Sequence, residues 1–489
     1  MCLPTPATLV ARSWCFGAGV FMLVVTLGLT GCAHHDYARY EPRPPDPAKT
    51  AAALESRTLD DPGLRKFLTE NLRKDFSVGQ PVGWDFETLC WVAFYFNPTL
   101  DVARAQWESA RAAQTTAAAR PNPSLTLTPG FSANPGGASP WLPAVGLDLA
   151  LDPATQRDRR AEIARLNAEA ARQAVFAAAW QVRGDLRRAL QDFWLASRRA
   201  AQLRPQVESH RQILALLEQR RTAGAATAAD VSTARLALIR TETAALDAGR
   251  QLAPASQRVA QVLGVSAAAL ATLPPSMSGT PDWPSSAALA ASRRQALQSR
   301  ADVLVALARY VVAESAFALE IERQHPGLHV GPGYQWDQGQ SKWTVAFTFE
   351  LPLFSHNEGP LAEAEAHRHE AAAQLAVVQA QVLAEIDSAV AAHTAVTGQI
   401  SGLESVQDEL KKQLALVEAR LRAGVTDQLD LQNARLELAL GEQALEEAGF
   451  QTRLAPGQLE DALQIPIASL EALAPASRAS ASPVSKKSP

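Results

Sequence analysis

Few positions in this 489-residue chain combine reactive side chains with a spacing that carries meaning. The clearest is Cys32. It closes the run Leu29-Thr30-Gly31-Cys32 after an apolar stretch from about Trp14 to Leu29, and Arg12 is the only charge before residue 36. Small residues before a cut and a cysteine after it to receive a lipid make a bacterial lipoprotein signal. The stretch is short for a spanning helix, which leaves an uncleaved anchor as the other reading. Ala33 follows the cysteine, where an aspartate would point to inner-membrane retention. The expected destination is the outer membrane, with a covalent lipid on Cys32.

The remaining candidates for chemistry form no site. Cys2 and Cys15 leave with the signal and Cys90 stays alone, so no disulfide framework is expected. His367 and His369 lie two apart on a predicted helix and diverge, since same-face neighbours are three or four apart. His34 and His35 follow the lipidated cysteine into solvent, and no metal site is assigned. The sequence contains no glycine-rich phosphate loop of the Walker type, no nucleophile elbow, no HExxH helix and no carboxylate cluster away from helix faces. Neither an enzyme nor a cofactor beyond the lipid is expected. With 46 Lys and Arg against 50 Asp and Glu, the formal net charge is −4. No basic cluster suits nucleic acid, and Lys486-Lys487 is too small a patch.

Two aspartates sit in a segment that the chain writes twice. Arg220, Gly224, Asp230, Ala234, Arg235, Leu236 and Leu238 return as Arg420, Gly424, Asp430, Ala434, Arg435, Leu436 and Leu438. Upstream, VGLDLAL at 145–151 faces VAFTFEL at 345–351 in the same register. The period is too long for a solenoid, whose repeats recur every ~20–50 residues. It marks a duplicated unit. A glycine just past a helix supplies a left-handed cap, and an aspartate six residues on suits the positive end of the next helix. The motif therefore predicts a tight helix–turn–helix tip. Turn building and recognition of a partner are both open for these residues.

The elements that carry the tips are long. Residues from about Arg157 to Arg221, and from about Pro360 to Arg422, read as helices on the order of 90–100 Å in length. The second has an apolar stripe at Val378, Val382, Ile386, Val390, Val396, Ile400, Leu403, Val406, Leu410, Leu414, Val417 and Leu421, in the steps of a packed coiled coil. His393 falls in that stripe and is expected to be buried and hydrogen-bonded. Pro205 and the Gly402 region predict interruptions at matching places. A further helix is predicted over Glu87–Arg120. Ahead of each long helix lie strands. Leu125–Thr128 alternates; Val145, Leu147, Leu149 and Leu151 share one face against Gly146, Asp148 and Ala150. After Leu328-His329-Val330 and a turn near Gly339, a strand from Trp343 to Leu353 sets Val345, Phe347, Phe349 and Leu351 against Thr344, Ala346, Thr348 and Glu350. Such strands fit a membrane barrel or a sandwich hairpin. Trp141, Tyr334, Trp336, Trp343 and Phe354 near strand ends suit an interfacial girdle. After Cys32 no stretch approaches the roughly 18 apolar residues of a spanning helix, so any crossing must be a barrel. The chain divides into a signal peptide (1–31), an irregular lipidated leader (32–85), two repeats of helices, β-hairpin and tip (86–288 and 289–470), and a disordered tail (471–489).

Taken in order and in duplicate, Asn97-Pro98-Thr99-Leu100, Arg120-Pro121-Asn122-Pro123-Ser124-Leu125, Gly224…Asp230-Val231…Ala234…Leu238 and Gly424…Asp430-Leu431…Ala434…Leu438 resemble the TolC family of outer-membrane efflux proteins. The resemblance implies a mostly α fold with a small transmembrane β-barrel contribution. Long antiparallel coiled-coil helices would form a periplasmic tunnel, and a homotrimer would share one barrel, four strands from each protomer. Gly224, Asp230, Ala234, Leu238 and their copy-two equivalents would meet a periplasmic adaptor protein that links to an inner-membrane pump. Asp430, helped by Asp427, would form an acidic gate, although a second acid found in some members is replaced here by Asn433 and, in copy one, by Thr233. Arg159-Arg160-Ala161-Glu162-Ile163 and Leu351–Gly359 look most like the branch that exports cobalt, zinc and cadmium. The implied function is a passive export conduit for metal cations or drugs. The alternative is a coiled-coil structural lipoprotein without a pore, which leaves the amphipathic strands unexplained.

Overall fold

A computed structural model describes residues 44–74, 76, 84–133, 140–151, 153–270, 282–325, 327–337, 340–349 and 351–470. The signal, Cys32, Glu350 and the tail from 471 onward lie outside the described residues. The chain falls into two units, Met1–Ala53 and Leu54–Pro489. Most of a short helix, α1 (Pro47–Glu55), belongs to the first. Everything below concerns the second.

Each half of that unit repeats one plan. Copy one runs α3 (Phe86–Phe96), α4 (Pro98–Ala118), β1 (Ser124–Thr128), β2 (Ala144–Leu151), α5 (Ala154–Thr222) and α6 (Ala228–Leu263), followed by the single turn α7 (Ala267–Leu270). Copy two runs α8 (Ser286–Ser299), α9 (Ala301–Glu322), β3 (Leu328–Asp337), β4 (Gln340–Phe349), α10 (Glu358–Arg422) and α11 (Gln428–Leu463). The expected helix over 87–120 is two, because Asn97 caps α4 while Pro98 takes its first position, where a missing N–H costs nothing. Since α8 begins at Ser286, a division at residue 289 falls inside a helix.

The leader is not irregular throughout. Asp61 accepts from the Leu64 amide and Pro62 opens α2 (Pro62–Leu72), whose Leu64 and Leu68 are fully buried. They join Leu89, Val92, Phe96, Leu186 and Leu263 in the core of copy one, with Phe67 set edge-on to Trp91. Copy two builds its core at the matching place from Ala288, Val303, Val382, Ile386, Leu459 and Leu463. The break between α3 and α4 is stitched to the end of α6 by Asn97 donating to the Val262 carbonyl (2.8 Å). Arg300 does the same for the Ala462 carbonyl in copy two. Gly264 then closes α6 at φ 72°, with the Phe96 carbonyl where a Cβ would stand. Only glycine fits there.

Neither expected interruption breaks a helix: α5 runs through Pro205 and α10 through Gly402. A ring at Pro205 removes one backbone donor in a helix of 69 residues, and neighbouring packing holds the rest. Helix α10 is also apolar enough by composition to cross a membrane, with a window of mean hydropathy 1.4. Alanine and valine raise that figure. Its Glu385 and Asp387 pair with Arg300 and Arg293, and its Val382 and Ile386 pack against protein.

The four strands form one antiparallel sheet in the order β1-β2-β3-β4. Strand β4 ends at Phe349, short of the expected Leu353, since Pro352 cannot extend a ladder. Leu125, Leu127, Leu151, Leu328, Val345, Phe347 and Phe349 lie on one face and all are exposed. An apolar face bare of any protein cover is a membrane-barrel face and not the core side of a sandwich. Trp343 pairs with Tyr334 at 4.8 Å and is 76% exposed, as an interfacial aromatic should be.

Candidate functional site at the helical tips

Helices α5 and α6 form one antiparallel hairpin, α10 and α11 the other. Both tips turn by one mechanism. Gly224 and Gly424 take φ of 75° and 72°, and nothing lies within 4 Å of a Cβ built on either. The left-handed conformation alone therefore requires glycine. The Ala225 amide donates to the Arg220 carbonyl (2.8 Å) and the Gly224 amide to that of Arg221 (3.0 Å). Val425 and Gly424 repeat the pattern onto Arg420 and Leu421. This is the paired closure of a Schellman cap.

The two helices that leave the tips start differently. At α6, Thr227 caps the helix through its hydroxyl, and the Asp230 carboxylate reaches back to the Thr227 amide (2.8 Å) and hydroxyl (2.7 Å). Those bonds hold the Asp230 carboxyl below its ordinary range. At α11 the cap is Asp427, which accepts from the Leu429 (2.9 Å) and Asp430 (3.3 Å) amides. A reciprocal box would here bring two carboxylates together. Asp430 instead takes the Thr426 hydroxyl.

The second oxygen of Asp427 has a partner from the other tip: Arg220, at the end of α5, forms an ion pair with it. The extra charge in copy two is thus met within the same chain. Residue spacing gave no hint of this pairing, because the partners come from different repeats and lie 207 positions apart in number. Just behind the pair, Ile213, Ala234 and Leu429 form a small apolar cluster with Leu217 and Leu436. The arginine of the repeated motif braces each hairpin, Arg235 to Glu218 at 2.7 Å and Arg435 to Glu418 at 3.9 Å.

Of the predicted tip residues, Gly224, Asp230, Gly424 and Asp430 are exposed, and Leu238 and Leu438 are half-buried. Ala234 and Ala434 are buried in the helix seams. They set how closely the helices approach, so the exposed part of the motif is narrower than its eight residues. His393, expected to be buried and hydrogen-bonded, is half-buried with the Thr397 hydroxyl 3.5 Å from its Nε2. It lies flat on Trp283, with centroids 3.7 Å apart, and burial draws its pKa down. Among the described residues no group of three or more metal-ligating side chains converges.

Away from the tips, α5 and α11 share a buried charge network. Glu460 accepts from Arg183 (2.5 Å) and Arg187 (2.8 Å), and Asp461 from Arg187 (2.7 Å). Arg187 lies over the Phe86 ring at 4.2 Å and fills the space beside Gly457. Cys90 is buried at its edge, where burial pushes the thiol up to about 12.

An amphipathic sheet with a bare apolar face, carried by two long helical hairpins, defines an outer-membrane channel architecture. The family profile described as outer membrane efflux protein matches residues 95–265 and 293–463, one stretch in each repeat. The chain belongs to that family, whose members are channels of tripartite efflux systems that operate with an adaptor and an inner-membrane pump. It is an outer-membrane efflux channel component. The outer membrane protein VceC from Vibrio cholerae shares the fold at a TM-score of 0.64 and 20% identity, over 78% of this chain and 96% of that one. The CmeC outer membrane channel of Campylobacter jejuni gives 0.63 at 15% identity, over 77% and 85%. For the open state of the MtrE outer membrane channel of Neisseria gonorrhoeae the values are 0.61 and 17%, over 78% and 89%. No curated protein sequence matches the chain.

Proposed function

We propose that three copies of the chain close their sheets into one barrel, and that the barrel and a helical tunnel below it form a passive conduit. The observation that carries this reading is the sheet itself. Strands β1 and β4 are edges without a partner among the described residues, and the apolar face between them is bare. Edge-to-edge pairing of copies would satisfy both. Lipid on Cys32 would add an anchor in the same membrane. The exposed tip residues Gly224, Asp230, Gly424 and Asp430 dock the adaptor's hairpins, and the pump supplies the energy.

The resting gate is the tip pair Arg220–Asp427 with Asp430 beside it. Holding Asp427 against Arg220 keeps the two hairpins of a protomer together, and parting them widens the mouth. Heat-sensitive trimer bands and conductance in planar bilayers test the conduit. A purified chain that stays monomeric and never conducts would instead be a structural tether. Tolerance of a deletion strain to metals and to drugs separates the two classes of cargo.

A further inference from the structure

On the polar face of the sheet, His329 and Asp148 face one another across β2 and β3, with His329 Nδ1 3.0 Å from Asp148 Oδ2. Strand parity places both on the side opposite Leu147, Leu149, Leu328 and Val330, and each side chain is nearly half exposed. Among the described residues their cross-strand and same-face neighbours are small. Ala150 and Thr348 stand opposite His329, Gly331 follows it on the same face, and Gly146 precedes Asp148. Beyond Gly333 and Thr344 the next charges on this face are Asp337 and Lys342, which pair with each other at 2.6 Å.

We infer that His329 and Asp148 form a two-donor site for a hydrated, borderline divalent cation such as Zn²⁺ or Ni²⁺ on the wet wall of the barrel. The two donors already converge at nearly chelating distance. Ligands roughly 2.0–2.2 Å from one ion stand about 3.0 Å apart in an octahedral site and about 3.4 Å apart in a tetrahedral one, so the pair takes Ni²⁺ as it stands and Zn²⁺ after opening by a few tenths of an ångström. The ion bridges the ring nitrogen and the carboxylate in place of their direct contact, and water fills its other positions in the space left by the small neighbours. An imidazole nitrogen with a single carboxylate oxygen favours Zn²⁺ and Ni²⁺ over Mg²⁺, which takes oxygen donors in a strict octahedron. This is an occupancy of the lumen wall, separate from the tip gate. It rests on the channel reading for its place on the lumen wall and for its electrical readout, while Zn²⁺ binding by the pair is tested without it.

The test uses the full-length protein in detergent and in planar bilayers. Titration of the purified protein with ZnCl₂ should show one site per chain that is lost in His329→Gln and weakened about tenfold or more in Asp148→Asn. The double variant His367→Gln/His369→Gln should keep it. In bilayers, Zn²⁺ but not Mg²⁺ should reduce the conductance of the wild type, and the two sheet variants should relieve that block. Zn²⁺ binding unchanged in both sheet variants would overturn the inference. A protein that binds Zn²⁺ at His329 yet never conducts would sink the conduit and leave the site standing.

Discussion

Thr227 and Asp427 hold equivalent cap positions, and the difference between a hydroxyl and a carboxylate decides what each tip can grip. The hydroxyl leaves Asp230 free to complete a reciprocal cap. The carboxylate caps α11 and still has an oxygen for Arg220. Exchanging Asp427→Thr should therefore preserve the helix start and release Arg220, while Arg220→Gln releases the pair from the other side. Both should raise basal conductance in planar bilayers to a similar degree. Thermal melting should hardly move, because an exposed pair of this kind contributes at most about 1 kcal/mol. A conductance unchanged in both variants would reduce Asp427 to a cap. At the other end of the seam, the Cys90 thiol is held at about 12 by burial. Since the thiolate is the reactive form, native protein at pH 8 should resist iodoacetamide and label only after unfolding. Rapid native labelling would show that the core around Cys90 opens.

Along α5 and α11 the contacts change character from one end to the other. Buried Arg187 with Glu460 and Asp461 gives way to Trp194 stacked on Phe450, then to Gln202–Glu446 and Gln206–Gln443, and at last to the exposed pair at the tips. Glu460→Gln leaves Arg183 and Arg187 with Asp461 as their remaining carboxylate and should cost about 2–3 kcal/mol, less than a wholly unpaired buried charge, read as a lowered unfolding midpoint. The first tip should loosen in acid. Asp230 has a lowered pKa when folded, so its cap contributes above the ordinary aspartate value of 3.8 and is lost as pH falls through the lower folded value. Hydrogen exchange of the Thr227 amide, which donates to the Asp230 carboxylate, should accelerate over that window, and should lose this pH dependence in Asp230→Ala. These elements were legible in the sequence to unequal degrees. Long amphipathic helices and alternating strands declare themselves by period, and Gly224 and Gly424 by their place after the last apolar turn. Leu64 and Leu68 were hidden because a helix of 11 residues among prolines and charges has too few turns to show a stripe. The Arg187 network was hidden because a charged helical residue ordinarily means solvent, and only packing reveals that Gly457 makes room for it.

For the whole molecule, the sheet with β1 and β4 at its edges is the element through which the proposed assembly would form. A bare apolar face inserted in a bilayer should reject charge, so Phe347→Arg should weaken insertion by about 2–4 kcal/mol if it sits near the midplane. Heat-stable trimer bands and outer-membrane yield measure that loss; unchanged yield would place Phe347 off the lipid face. The duplication lets one chain supply neighbouring but different strands and two different tips, and that asymmetry lets Arg220 of one copy answer Asp427 of the other. Because both partners lie on a single polypeptide, each chain carries its own complete ion pair, and under the proposed gate its own latch, before any assembly. A trimer with one Arg220→Gln chain should then conduct at a level between the intact and fully substituted forms. Mixed populations would show a ladder of discrete current steps in place of one all-or-none jump.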